Sequence, residues 1–413
     1  MMKKILACAA MLLLPLVQGG DAMAQMKQLI FDEDRAVAAD GQGELRLDIE
    51  NIDFLRDNEY VGGRTDGYTL PGFLLRPTLT YQPLANLKIE AGFNMTTYWG
   101  ATAYQELYFR DPIRHLPTGE SKRVNMTPFL RVHAKLSPAV DLVMGNIYGG
   151  VAHGLPEPLY DEENVLTSRP EAGIQLLVRT SHFDLDAWVN WESFIFRNDN
   201  HQEAFTVGAA AKVKVNDDAS RVHVFFPLNV VVQHRGGEID TIATNRVQTW
   251  MNASAGCQLD INLRSRLVKQ VSVSVNAFAS NEGKGELFPF KRGVGVYGLA
   301  EMDIWRFNVG VGHWAAHNFI TLLGNPHFGC IDVPYTGVRF TDPQVTTFNL
   351  EYAQSFGKCY SWGANLKAFF LHKCDETGAD GVRGSQSMAT SLAAAVYFRL
   401  SPSFLLKDFN KKH

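Results

Sequence analysis

From about Leu45 to Leu400 the chain alternates apolar and polar residues on a period of two, with hardly a break. Val124–Ser137 is the clearest stretch. Val124, Met126, Pro128, Leu130, Val132, Ala134 and Leu136 make one face, and Asn125, Thr127, Arg131, His133, Lys135 and Ser137 the other. Successive side chains of a strand point to opposite sides, so each such stretch is a strand with an oily environment on one face and water on the other. A soluble sandwich satisfies this pattern as well as a membrane barrel does. The segment before the strands, and the way the strands are joined, decide between the two.

Lys3 and Lys4 lead into an apolar run from Ile5 to Val17, and Ala22-Met23-Ala24 supplies the small residues of a cleavage site before Gln25. The run is too short to span ~30 Å of hydrocarbon as a helix. Cys8 lies inside it rather than after it, which does not fit a lipoprotein. Beyond it no stretch of about eighteen apolar residues remains, so no helical span is expected. The formal net charge of −4 lacks the basic excess that nucleic acid would demand. No proline-rich linker, charge block or low-complexity tract divides the rest, which argues for one domain rather than two soluble ones. The expected organisation is a cleaved signal at 1–24, a periplasmic N-terminal segment at 25–43, a transmembrane barrel at 44–400 and a periplasmic tail at 401–413.

The spacing predicts strands at 44–55, 72–82, 87–99, 124–136, 140–148, 171–180, 183–193, 203–216, 220–234, 246–261, 267–281, 292–303, 304–315, 345–355, 359–372 and 388–400. Each reaches or approaches the ~9–11 residues that cross a bilayer at a tilt. Short links (83–86, 138–139, 181–182, 217–219, around Ile304) alternate with long polar stretches (56–71, 100–123, 149–170, 282–291, 316–344, 373–387). Short turns at one end and long loops at the other describe an all-β, closed antiparallel transmembrane barrel. The count is about sixteen, within two either way, and an even number places both ends in the periplasm.

One face of the strands carries Leu87, Ile89, Phe93 and Met95, then Phe183, Leu185, Val189 and Trp191, then Val271, Val273 and Val275, and finally Val396 and Phe398. A charge on such a lipid face costs ~2–4 kcal/mol at the midplane. The other face carries Arg76, Lys88, Glu90, Arg131, His133, Lys135, Arg179, Asp184, Asp186, Glu192, Lys212, Lys214, Asp260, Glu301, Glu351, Lys367 and Arg399. So many ionisable groups need water or one another. A ring of about sixteen strands encloses an aqueous lumen, whereas about eight would be filled by side chains.

In this pattern the chain resembles the porin-like barrels of Gram-negative outer membranes over essentially all of its length after the signal. The resemblance implies an outer-membrane location, passive or weakly selective diffusion of small hydrophilic solutes, a channel narrowed by an inward loop, and no enzymatic activity. It leaves room for a homo-oligomer, and it implies outer-membrane lipid and small solutes as partners, with no nucleic acid and no cofactor or metal. The family usually ends on an aromatic at the last strand position. Here Phe398 lies on that strand, and Phe404 and Phe409 come after it.

Gly145-Asn146-Ile147-Tyr148-Gly149-Gly150, running on to His153 and Gly154-Leu155-Pro156-Glu157-Pro158-Leu159-Tyr160, stands out. Its glycines permit unusual backbone angles, and its prolines stiffen the second half of the segment. It reads either as the inward loop, with Tyr148, His153 and Glu157 lining the pore, or as an ordinary external loop. Arg76, Lys88, Arg131, Lys135 and Arg179 form a basic ladder on neighbouring strands, and Asp184, Asp186 and Glu192 lie on the next. A field between them would orient polar solutes; alternatively the two signs simply pair.

Cys330 and Cys374 fall in two long loops on the same side, an arrangement open to a disulfide in an oxidising compartment. His313 and His317 are four apart, but that spacing binds metal on a helix, and here it ends a strand. No nucleophile elbow, Cys-x-x-Cys pair or phosphate loop is present. A solute channel is therefore the first expectation, a plugged barrel serving as surface receptor, adhesin or docking component the second, and an outer-membrane enzyme the last.

Overall fold

The computed structural model describes residues 26–99, 124–196, 201–217, 220–237, 246–263, 265–333, 337–357 and 359–410. The expected signal and its cleavage site, and the long stretch 100–123, lie outside them. Long strands succeed one another down the chain: β1 (Glu44–Glu59), β2 (Tyr68–Leu84), β3 (Leu87–Tyr98), β4 (Val124–Ser137), β5 (Val140–Asn146), β6 (Ala172–Arg179), β7 (Phe183–Ser193) and β8 (Ala204–Lys214). β9 (Val222–Arg235), β10 (Gln248–Asn262), β11 (Val268–Lys284), β12 (Arg292–Ile304) and β13 (Phe307–His317) continue the series. After the short β14 (Arg339–Thr341) come β15 (Gln344–Phe356), β16 (Tyr360–Leu371), the short β17 (Cys374–Thr377) and β18 (Arg383–Gln386), then β19 (Ala389–Leu400) and β20 (Ser403–Asp408).

Each long strand pairs antiparallel with its neighbour, and β19 returns to β1 in the register Asn51↔Leu400 to Glu59↔Leu392. Among the described residues this closes a 16-strand barrel, as the alternation predicts. The sixteen expected strands are all present. β1 extends four residues beyond its predicted end, to Glu59, and the hairpin near Ile304 turns on Trp305 at φ 55°.

The residues expected to form a tail include β20. It pairs with the start of β1, from Glu44↔Asp408 to Asp48↔Ser403. β19 and β20 thus cover β1 end to end, interrupted at Pro402, which has no N–H for the ladder and offers its carbonyl to Ile49 N at 3.0 Å. Tyr81 packs edge-on against Phe409 at 5.7 Å, so the seam finishes on an aromatic after all.

The outward face is apolar and uncovered: Met126 is 63% exposed, Val294 56%, Leu130 54% and Val275 54%. Residues of the opposite parity are buried, including Arg56, Arg131, His133 and Gln175. A belt of bare Val, Leu, Phe and Met around a closed barrel is stable against lipid tails and not against water. The protein is therefore an outer-membrane β-barrel.

The lumen is not empty. A short helix, Met26–Ile30, packs inside against β15, β16 and β19, so part of the segment expected in the periplasm lies within the barrel. Among the described residues, two loops from the opposite end also fold in. Residues 147–171 do so as one of the two sequence readings proposes. Residues 318–332, expected outside, are buried at Phe319, Asn325, His327, Phe328 and Cys330. β14, β17 and β18 form a small sheet among the long loops.

Candidate functional site

The inward loop begins where β5 stops. Gly145 has φ 86°, and a Cβ there would lie 2.2 Å from the Leu130 carbonyl oxygen, so only glycine lets the two strands meet while the chain turns in. Gly150, at φ 66°, makes the second turn, and its N–H donates to Glu171 Oε1 at 2.9 Å.

His153 comes next, flat against the Trp188 ring at 3.5 Å between centroids. Its Nδ1 meets Asp186 Oδ2 at 2.9 Å and its Nε2 meets Glu171 Oε2 at 3.1 Å. Burial alone would lower the imidazole pKa, but Glu171 and Asp186 outweigh it and hold it up at about 9. His153 is thus an imidazolium with both nitrogens engaged. It anchors the loop to β7 and has no lone pair left to act as a base. Gln175 completes the anchor, donating to Asp186 Oδ1 at 2.8 Å and to Tyr148 O at 3.0 Å.

Farther along, Asp161, Glu162 and Glu163 are buried in the lumen. Glu163 meets Arg56 Nε at 2.7 Å, accepts from Asn58 Nδ2 at 2.8 Å and also takes the Tyr68 hydroxyl. Glu162 meets Lys367 Nζ at 3.0 Å and accepts from Asn365 Nδ2 at 2.8 Å. Burial would raise the Glu162 carboxyl, but Lys367, Lys27 and Arg56 pull it down to about 2. Glu157 reaches the same Lys367 at 3.1 Å.

The second loop locks onto the first. Asp161 N donates to Leu323 O at 2.9 Å, Thr321 Oγ1 to Pro158 O at 2.7 Å, and Asn325 Nδ2 to Asp161 Oδ2 at 3.1 Å. Aromatic contacts tie it to the wall: Phe328 against Tyr297 at 5.3 Å and Trp314 at 5.5 Å, and His327 stacked on Phe369 at 4.3 Å.

The basic ladder divides in two. Arg131 is 2% exposed and fixed by many contacts. Its Nε donates to Asn146 O at 2.7 Å, its Nη2 to Ile147 O at 3.1 Å, its Nη1 meets Glu90 at 3.4 Å, and its guanidinium lies 3.9 Å over the Tyr148 ring. Arg131 Nη1 also meets Glu33 Oε2 at 2.8 Å, while Arg76 Nη1 meets Glu33 Oε1 at 2.9 Å. Lys88 Nζ points at Asp34 O and Ala36 O, at 3.4 and 3.3 Å. Burial would raise the Glu33 carboxyl, yet Arg131 and Arg76 hold it at about 2. Lys135 and Arg179 are exposed near the short turns instead, and Asp184 there pairs with Lys214 at 2.8 Å.

A cleft of about 560 Å³ remains between these parts. Glu33, Arg76, His153, Glu171 and Glu192 line it, with Trp188 and the exposed Arg169. Of the residues the sequence nominates, Arg76, His153 and Glu192 are on its walls. Glu90, Arg131, Asp186 and Tyr148 stand behind them, and Glu157 is spent on Lys367. The ladder pattern does not reveal Glu33. The acidic run Asp32-Glu33-Asp34 just before the first strand, with cationic strands to receive it, was the available signal.

Cys330 and Cys374 are free thiols. The bridge to which the sequence was open is not formed, and each sulfur has another partner: Phe319 N donates to Cys330 Sγ at 3.2 Å, and Cys374 Sγ donates to Gln386 Oε1 at 3.3 Å. The buried Arg64 comes close to both thiols and donates to Gln386 Oε1 at 3.3 Å and His327 O at 2.8 Å.

On the lipid-facing wall, Thr346 Oγ1 lies between His313 Nδ1 at 3.1 Å and His372 Nε2 at 2.9 Å. Nearby His317 Nδ1 meets Asp342 Oδ1 at 2.6 Å. Among the described residues no group of three or more His, Cys, Asp or Glu is placed to hold a metal ion.

No curated protein sequence matches the chain. Among solved structures it is similar to OpdK of Pseudomonas aeruginosa in a complex with vanillate, at 12% identity over 88% of this chain and 100% of that one, TM-score 0.47. Outer-membrane protein OprD of Pseudomonas aeruginosa matches at 12% identity over 93% and 100%, TM-score 0.47. OccAB4 of Acinetobacter baumannii matches at 9% identity over 88% and 99%, TM-score 0.49. A family model matches residues 33–409, and by that match the chain belongs to the lipid A 3'-O-deacylase-type family.

Proposed function

We propose that this barrel is a narrow outer-membrane passage for small hydrophilic solutes, constricted by its own loop 147–171 and N-terminal segment. The cleft of about 560 Å³ between them carries this reading, because charged groups of both signs line it and at least one, Arg169, stands exposed. Such walls hold water and orient polar solutes, whereas an apolar plug would exclude both. Reconstituted protein is expected to give liposome swelling with the smallest sugars and amino acids and a sharp loss with size. Liposomes that swell with none of these solutes would overturn the reading.

A second reading rests on one cluster. The family is named for removing an ester-linked acyl chain from lipid A, and Thr346, His313 and His372 stand on the wall that lipid touches. A hydroxyl between two imidazoles can give its proton to either ring as its oxygen attacks an ester carbonyl. The alkoxide then leaves with a proton from the ring, and water hydrolyses the acyl-threonine to a free fatty acid. Mass spectrometry of lipid A from cells with and without the protein tests it. Loss of one ester-linked chain, abolished by Thr346→Val, supports it; unchanged lipid A overturns it.

A further inference from the structure

Glu33 sits on the cleft wall as a carboxylate held at each oxygen by a different arginine, Oε1 on Arg76 at 2.9 Å and Oε2 on Arg131 at 2.8 Å. Both arginines have partners besides Glu33. Arg131 is fixed by Asn146 O, Ile147 O, Glu90 and the Tyr148 ring, and both guanidinium groups stack on Phe129, Arg76 at 4.8 Å and Arg131 at 4.9 Å. Paired, ring-stacked guanidinium groups are a preorganised receptor for a planar anion.

The segment that delivers Glu33 is held less firmly. Phe31 is buried, but Asp34 and Ala36 are exposed, and residues 31–38 belong to no helix or strand. Lys88 reaches the carbonyls of Asp34 and Ala36 at 3.4 and 3.3 Å, Arg35 meets Ala152 O at 3.0 Å, and the far end is tied where Gln82 Nε2 donates to Ala38 O at 2.6 Å. Glu33 itself is 24% exposed on the cleft side.

We propose that Arg76 and Arg131 form a binding site for the carboxylate of a small acidic solute, and that Glu33 is its tethered competitor. A solute carboxylate entering the cleft takes the two guanidinium groups, Glu33 leaves, and residues 31–38 come off the wall. A tethered group acts at an effective concentration of order mM, so solutes exchange with it at millimolar levels. The site deepens the passage reading by naming a solute class, but the exchange itself occurs without transport and is tested separately.

The probe is propionate, with its uncharged isostere propionamide and with chloride at equal ionic strength as controls. Hydrogen exchange of residues 31–38 is followed on the full chain in detergent. Propionate is expected to speed exchange there several-fold, while propionamide and chloride leave it unchanged. Glu33→Gln is expected to give fast exchange with no anion added and at least ~10-fold tighter propionate binding, since the competitor is gone. Arg76→Gln, on the less buried arginine, is expected to abolish the propionate response. An equal response to chloride, no response to propionate, or a segment still protected in Glu33→Gln would each overturn the proposal. Swelling of liposomes without propionate-dependent exchange removes this site and leaves the passage; propionate-dependent exchange without swelling does the reverse.

Discussion

Among the described residues, the two loops that fold into the lumen are held by opposite chemistry. Residues 147–171 are tied by ions: His153 to Asp186 and Glu171, Glu163 to Arg56, Glu162 to Lys367. Residues 318–332 are tied by rings and aliphatic contacts. Phe319 and Phe328 join Tyr297, Trp314 and Phe369 in one cluster, and Ile320, Leu322 and Ile331 join Trp250 and Phe288 in another. The cleft runs beside the ionic loop. A water-filled passage needs polar walls, and a wall of charges holds its shape only if the charges are paired. The aromatic loop faces no such demand and serves as a packed buttress, gripping the first loop through Asp161, Pro158 and Leu323.

This contrast is broken most forcefully by removing one member on each side. Trp314→Ala, at a fully buried ring in the aromatic cluster, is expected to cost ~3–5 kcal/mol by cavity formation. Denaturant unfolding in detergent should show that loss at any salt concentration. Glu163→Ala leaves Arg56 buried without its closest anion, also a loss of ~3–5 kcal/mol. Replacing both, as Arg56→Met with Glu163→Met, should recover most of that stability, because no buried charge is then left alone. If the double variant is as unstable as Glu163→Ala, the ionic tie is not what holds the first loop.

A smaller effect, with opposite signs in the two loops, is expected from pH. The folded pKa of His153 is raised from 6.5 to about 9, so its contribution is complete below 6.5 and is lost as pH rises through about 9. Glu162 is lowered from 4.5 to about 2, so its contribution is complete above 4.5 and is lost as pH falls through about 2. The ionic loop is therefore most protected between pH 4.5 and 6.5. His327 behaves the other way: burial, aided by Arg64, lowers it from 6.5 to about 3. The unfolded chain binds that proton first, so the aromatic loop weakens as pH drops below 6.5. Hydrogen exchange at pH 5 and pH 9 should loosen the loops in opposite order; parallel loosening would contradict the assignment. The smallest effect belongs to Arg246 and Glu286, whose side chains are 72% and 69% exposed at 3.0 Å. Arg246→Ala should change stability by less than about 1 kcal/mol.

The barrel was legible in the sequence because a strand with lipid on one side and water on the other must alternate, residue by residue. Even the parity of Arg131, His133 and Lys135 against Leu130 and Val132 obeys that rule. The lumen was not legible for a related reason: residues filling a cavity from a loop obey no period. Glu33 meets Arg131 across 98 positions, and Asn325 meets Asp161 across 164. Glycine at 145 and 150 did signal the inward turn of the first loop. The second loop carries no such cue, since Phe319, Ile320 and Phe328 in an aromatic-rich chain look like any loop residues. β20 was missed because Pro402 breaks the alternation just before it resumes.

The central claim is that the chain's own segments narrow a 16-strand barrel to a charged cleft without sealing it. Single-channel recording of the full chain in a planar bilayer tests this most directly. Discrete steps are expected, far smaller than an unobstructed barrel of this strand number would give, and growing when Glu33→Gln frees the N-terminal segment. Large steps already present in the unaltered protein, or silence in both forms, would contradict it.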